Sequence, residues 1–203
     1  MSDLATGLET NPGAADALLE VLNIGSGNAL SSLARLLGTE PITMAVPELL
    51  TAASLPTASA LQTDGIVVHL EVAGAARCRF LLALDTESAA ALVSTLLPAG
   101  AATTFDDAEA QSAILETANI ISCSFLGAVA SLMRGVLIPS PPAARVGALD
   151  AIVRGHMGED AIALCSRFVT PRKAIAGCML LVTNVADTTP MLSALQTRRT
   201  EGP

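Results

Sequence analysis

The stretch DALLEVLNIGSGNAL, residues 16–30, spaces its leucines like one face of a helix, then interrupts that face with Glu20 and Asn23. A second stretch, SAILETANIISCSFL at residues 112–126, makes the same interruption with Glu116 and Asn119. A shift of 96 residues lays Ala17, Leu19, Glu20, Asn23, Ile24, Ser26, Leu30, Ala34 and Leu36 on identical residues of the second stretch, nine matches within residues 16–37. Pro47 falls on Pro142 with a shift of 95. A period of this length is too long for a solenoid and indicates one duplicated unit.

Outward from these helices the two halves keep the same order. Asn11-Pro12-Gly13 breaks the chain before a helix over 14–37, with Gly38 as its C-cap. A Pro-rich extended stretch follows, from Pro41 through Pro47 to Pro56. IVVHLEV (66–72) and CRFLLAL (78–84) predict a β-hairpin, and Thr86 is the expected cap of a short helix from Glu87 to Leu97. The second half predicts a helix over 106–133, acidic at its start and with Arg134 at its end. It continues with the Pro-rich IPSPPAARV, a hairpin from 161–169 and 175–185, and a short helix beginning at TPMLSAL. The tail QTRRTEGP is polar and expected to fray. The predicted fold class is α/β: one domain over 1–203 made of two pseudo-twofold repeats, about 14–98 and about 106–195. Each repeat is a long helix, an antiparallel hairpin and a short helix, and the strands form a mixed or antiparallel sheet.

Composition narrows the function classes. Hydrophobic residues make up 51% and charged residues 15%, which excludes a disordered chain. Net charge is −8 and Lys173 is the only lysine, so the basic clusters that bind nucleic acid are missing. Cys78, Cys123, Cys165 and Cys178 form no C-x-x-C pair and sit in apolar segments, which predicts buried, reduced thiols in a cytoplasmic protein. The polar, acidic N-terminus does not read as a signal peptide, and no uncharged apolar run reaches the length of a membrane span.

Residues three apart share a helix face, so Glu20 and Asn23 project together, as do Glu116 and Asn119. Two explanations stand at this point. The pairs are buried polar groups bonded to each other, or they form a site offered to a partner. The chemistry on offer is narrow. An amide holds a water by donating and accepting, but it is no general base. The pair has no nucleophile with an activating base and no transition-metal ligand set. It suits a partner that brings both an electrophile and a metal, such as a phosphorylated protein with its own magnesium, because orienting water is a known protein role in phosphoryl transfer.

The doubled pattern (D/S)-x3-E-x2-N-x22-P resembles the CheC/CheX/FliY family of chemotaxis phosphatases. Asp16, Glu20 and Asn23 match the first copy, with Pro47 after 23 intervening residues rather than 22. Ser112, Glu116, Asn119 and Pro142 match the second copy without departure. NIGSGNAL is similar to the family's first helix, and the repeat order extends the resemblance over roughly 14–195. The resemblance implies a phosphatase for the aspartyl-phosphate of a CheY-type response regulator. Asn23 and Asn119 would orient the attacking water and Glu20 and Glu116 would dock a regulator lysine, with Asp16, Ser112, Pro47 and Pro142 as supporting motif positions. The regulator would supply the magnesium, and this chain would hold no cofactor or metal of its own. Two motif copies resemble CheC or FliY more than CheX, with CheC the nearer resemblance, and CheC is known to bind CheD, which makes CheD a second expected partner. The alternative is a non-catalytic adaptor for a regulator, for CheD or for the flagellar switch. Neither nucleic acid nor membrane is an expected partner.

Other signals carry less. Gly25-Ser26-Gly27 lacks both the third glycine of a dinucleotide fingerprint and the lysine of a P-loop, and the two glycines are expected to admit a neighbouring backbone. His69 falls in a strand, where a solvent-facing or hydrogen-bonded histidine is expected, and His156 in a loop. With scattered cysteines they make no metal site. No G-x-S-x-G elbow is present. The acidic run Asp106, Asp107 and Glu109 predicts a helix start.

Overall fold

The computed structural model describes residues 12–98, 107–158 and 160–193. The N-terminal residues 1–11, Asp106 and the polar tail lie outside them. The first hairpin is β3 (Asp64–Gly74) and β4 (Cys78–Asp85), and the second is β7 (Ala161–Val169) and β8 (Ala176–Asn184). The hairpins join antiparallel through β4 and β8, where Leu81 faces Leu180 and Leu82 faces Met179. The Pro-rich stretches supply the rims: β1 (Thr43–Met44), β2 (Glu48–Thr51), β5 (Leu137–Pro139) and β6 (Ala143–Ala148). Together they give an eight-stranded sheet in which all pairs are antiparallel.

The rim strands cross between repeats. β1 and β2 pair with β7 of the second half, while β5 and β6 pair with β3 of the first. Proline lacks an N–H for the ladder and is tolerated at a sheet edge, which is where these segments lie.

β4 is buried along nearly its whole length because the sheet is covered on both faces. Alternate residues feed two cores. Ile66, Val68, Phe80, Leu82, Leu164 and Leu181 meet α1 (Pro12–Leu37), α2 (Thr86–Leu96) and α3 (Ala108–Met133). Val67, Leu81, Ala163, Leu180 and Val182 meet α4 (Leu149–Gly155) and the 3-10 turns carrying Leu55 and Leu61. The helix α4 follows β6 and was not expected from the sequence.

The long helices pack against each other. Ser32 and Ser124 share a hydrogen bond of 2.7 Å, and Arg35 donates to Ser32 Oγ at 2.8 Å. Near the other end of this contact, Ile24 lines a cleft with Ala128, Ser131 and Leu132. Rising numbers on α1 therefore meet falling numbers on α3, and the pair is antiparallel. Phe125 fills the notch left by Gly25, where a Cβ would lie 2.7 Å from the ring. Its ring leans on Phe80, with centroids 5.3 Å apart. A side-chain ring thus approaches Gly25, not the backbone expected from the sequence, and Gly27 faces open space.

The ends of the helices follow local chemistry. Gly38 adopts φ +60° and Thr39 N–H donates to Ala34 O at 3.0 Å, closing α1 with a left-handed glycine. Asp85, not Thr86, caps α2 by accepting from Ser88 N–H at 2.7 Å. Asp107 caps α3, accepting from Glu109 and Ala110 N–H, and Arg134 ends it in a left-handed conformation with φ 50°. With 26 residues, α3 is long and apolar enough to cross a membrane by length and composition. Its Ile114, Ile121, Phe125 and Val129 are buried in the core. Residues 189–193 are helical, in line with the expected last helix.

His69 does not face solvent freely. It is half-buried and stacks on His156, the C-cap of α4, with ring centroids 4.4 Å apart. His69 Nδ1 and His156 Nε2 are buried without a hydrogen-bond partner among the described residues. Desolvation, then His69 and the guanidinium groups of Arg79 and Arg145, push His156 from 6.5 down to about 4, against a smaller opposing pull from Glu71. Desolvation and Arg145 likewise lower His69.

Two outcomes follow for stability. Gly25→Leu is expected to destabilise the fold by about 1–3 kcal/mol, outweighing a helix-propensity gain of about 1 kcal/mol, in chemical denaturation. Because folding depresses the histidine pKa values, the unfolded chain binds more protons below the ordinary value of 6.5. Stability is therefore complete above pH 6.5 and declines as pH falls toward about 4. Melting temperatures should drop over that window, and His156→Gln should flatten the drop; an unchanged slope in the variant would refute this assignment.

Candidate functional site

Both motifs lie on the outer sides of the paired helices. On α1, Leu18, Val21, Leu22, Ala29 and Leu33 are buried, which turns Asp16, Glu20 and Asn23 outward, and all three are exposed. On α3, Ala110, Ile114, Ala118 and Ile121 are buried, Ser112 and Glu116 are exposed, and Asn119 is half-buried. A buried, mutually bonded pair is thus excluded. Among the described residues Glu20, Asn23 and Glu116 make no side-chain hydrogen bond, and neither Glu bonds its Asn.

The residues of the second motif lie together. Ser112, Glu116, Asn119 and Pro142 line one cleft of about 300 Å³, with Ala108, Gln111 and Leu115. Pro142 arrives from the segment between β5 and β6, the rim that crosses to β3. Pro47 occupies the matching segment before β2 and is half-buried. A larger cleft of about 590 Å³, lined by Glu71, Arg77, Arg79, Asn184 and Asp187 among others, contains none of the motif residues.

The antiparallel packing sets the spacing of the copies. Asn23 and Asn119 lie on opposite sides of the Ser32–Ser124 and Gly25–Phe125 region. Each is about six or seven residues from the local twofold, so they are separated by about 20 Å along the helix axes at 1.5 Å rise per residue. The two motifs therefore form two separate surfaces, not one composite pocket.

One neighbour was not anticipated. Cys123 was expected to be buried with the other cysteines. Cys78, Cys165 and Cys178 are buried, but Cys123 is exposed because it lies one turn beyond Asn119 on the outward side of α3. Its thiol donates to Asn119 Oδ1 at 3.9 Å. The spacing of four from Asn119 was the available signal, since i and i+4 share a helix face. Burial pushes the Cys78 thiol up to about 12. The hydrogen bond with Cys178, followed by burial, also raises Cys165 strongly. Among the described residues no group of three or more His, Cys, Asp or Glu is arranged to hold a metal ion.

Chemically, each motif offers a carboxylate and an amide on the outward side of a helix, with the second copy bordering a shallow cleft. Such a surface can meet a groove on another protein.

Comparison with known proteins agrees with the fold. The CheC-like family matches residues 14–50, which span α1 and the first rim segment. Thermotoga maritima FliY superposes with a TM-score of 0.70 at 17% identity, covering 92% of this chain and 97% of that one. A chain of the CheX–CheY–BeF3–Mg+2 complex from Borrelia burgdorferi superposes with a TM-score of 0.57 at 21% identity, covering 82% and 99%. The FliM middle domain from H. pylori gives a TM-score of 0.62 at 11% identity, covering 90% and 98%. No curated protein sequence matches the chain. The family match is confined to residues 14–50, and what the chain shares with these solved structures over most of its length is the fold.

Proposed function

We propose that this protein hydrolyses the aspartyl-phosphate of a CheY-type response regulator. The observation that carries the proposal is the outward display of two Glu–Asn pairs on α1 and α3. A polar pair kept for structure would be buried and internally bonded. Glu20, Asn23 and Glu116 leave their side-chain hydrogen-bonding capacity to a partner, and Asn119 is engaged only weakly, by the Cys123 thiol.

In the proposed reaction the regulator brings the phosphorylated aspartate and its magnesium. Glu20 or Glu116 pairs with a cationic side chain of the regulator and fixes the approach of the helix. The amide of Asn23 or Asn119 then holds a water in line with the phosphorus–oxygen bond to be broken. Water oxygen bonds to phosphorus, the aspartate carboxylate leaves, and inorganic phosphate is released. The amide contributes position, not proton abstraction. Charge fits this division, since a net −8 chain with outward carboxylates suits a partner that presents a lysine.

The structure of a CheX–CheY–BeF3–Mg+2 complex with a similar chain supports a regulator as the partner. The likeness to the FliM middle domain, and to a chain of a FliM–SpeE complex, supports the second reading, a binding module of the flagellar switch type without catalysis. CheD remains a further proposed partner.

Phosphate loss from a phosphorylated CheY-type receiver distinguishes catalysis from mere binding. The wild-type protein is expected to accelerate it. Asn23→Ala combined with Asn119→Ala should reduce the acceleration by about 100-fold, the scale at which lost positioning acts, with the circular dichroism spectrum unchanged. Equal rates for wild type and double variant would eliminate the phosphatase and leave the binding module.

A further inference from the structure

We infer that Cys123 is a positioning residue for Asn119, so that the two copies of the site are chemically unequal. The inference rests on the proposed phosphatase function and deepens it.

The repeat brings out the difference. A shift of 96 residues places Gly27 of the first copy on Cys123 of the second. Both positions are exposed, one helical turn beyond the motif asparagine. In the second copy a thiol donates to Asn119 Oδ1 at 3.9 Å. In the first copy there is no side chain to do so, and the space where a Cβ would lie holds nothing within 4 Å. Asn23 is correspondingly exposed, whereas Asn119 is half-buried beside the cleft formed with Ser112, Glu116 and Pro142.

The thiol is suited to this contact in a way a hydroxyl is not. On these helices Ser31, Ser94, Thr95, Thr117, Ser124 and Ser131 all donate to the backbone carbonyl four residues earlier. A hydroxyl at position 123 would go the same way, to the backbone oxygen of Asn119. The longer carbon–sulfur bond carries the Cys123 donor out to the side-chain oxygen instead. An amide is rotationally two-fold, and its oxygen and nitrogen offer opposite hydrogen-bonding character. A donor on Oδ1 therefore selects one of the two amide orientations and leaves the Nδ2 hydrogens to donate to a bound water. An S–H···O contact is weak, so it biases the orientation of Asn119 without locking it.

Each copy is tested with the other switched off. In an Asn23→Ala background, Cys123→Ala is expected to lower kcat for receiver dephosphorylation by about 2- to 5-fold and to leave KM for the phosphorylated receiver unchanged. In an Asn119→Ala background, Gly27→Cys is expected to raise kcat of the first copy, because the open space accepts the new side chain. Both variants are at exposed helix positions, and their melting curves check that folding is intact. An unchanged kcat in Cys123→Ala, or a change in KM alone, overturns the positioning role while leaving the phosphatase reading in place. Absence of any Asn119-dependent phosphate release from the Asn23→Ala parent overturns the positioning role, and absence of release by the wild-type protein overturns the phosphatase reading as well.

Discussion

The packing of α1 across α3 decides what the rest of the molecule can present. Phe125 enters the notch at Gly25, and Ser32 meets Ser124 where the two helices come close again. Once these contacts are made, Leu18, Leu22, Ile114 and Ile121 are committed to the sheet. The 3.6-residue turn then carries Glu20, Asn23, Glu116 and Asn119 to the opposite side. Rotation of either helix by one residue would bury a carboxylate without a partner, which is far more costly than any packing gained. The polar display is therefore held in place by the apolar contact beneath it.

The sheet supports that arrangement by being greasy on both sides. Its first face anchors the helix pair, and its second is closed by α4 and two 3-10 turns. The second face also encloses the chain's only two histidines, stacked beside Arg79 and Arg145. Arg79 ties this corner together by donating to Glu71 Oε1 at 2.6 Å and to His156 O at 2.8 Å. The candidate site and this titrating corner lie on opposite sides of the sheet, so the acid sensitivity of the fold and the chemistry of the motifs are physically separate.

Much of this was legible in the sequence, for reasons that can be named. Long helices and hairpins announce themselves through periodicity and uninterrupted apolar runs, and the predicted limits of β3, β4, β7 and β8 lie within two residues of the observed ones. The Glu–Asn pairs were legible because the duplication repeats them. What escaped depends on contacts between distant segments. Nothing in IPSPPAARV says that β6 will pair with β3, 74 to 84 residues away. The seven-residue helix α4 is too short to show a period. Cys123 looked like its buried counterparts because an exposed cysteine and a buried one have the same neighbours in a sequence this apolar. The cap of α2 was misassigned by one residue, Asp85 for Thr86, since both side chains are capable of it.

The reciprocal exchange of rim strands also bears on where such a chain comes from. If the chain were cut between its repeats, the first half would lose the partner of β1 and β2, and the second would lose that of β5 and β6. Each half would expose the flank of its own hairpin. A half-length chain could satisfy those edges by pairing with a second copy of itself, each subunit lending its rim to the other. Joining two such subunits into one polypeptide preserves the embrace and frees the copies from identity. One asparagine can then keep a glycine beside it while the other acquires a sulfur.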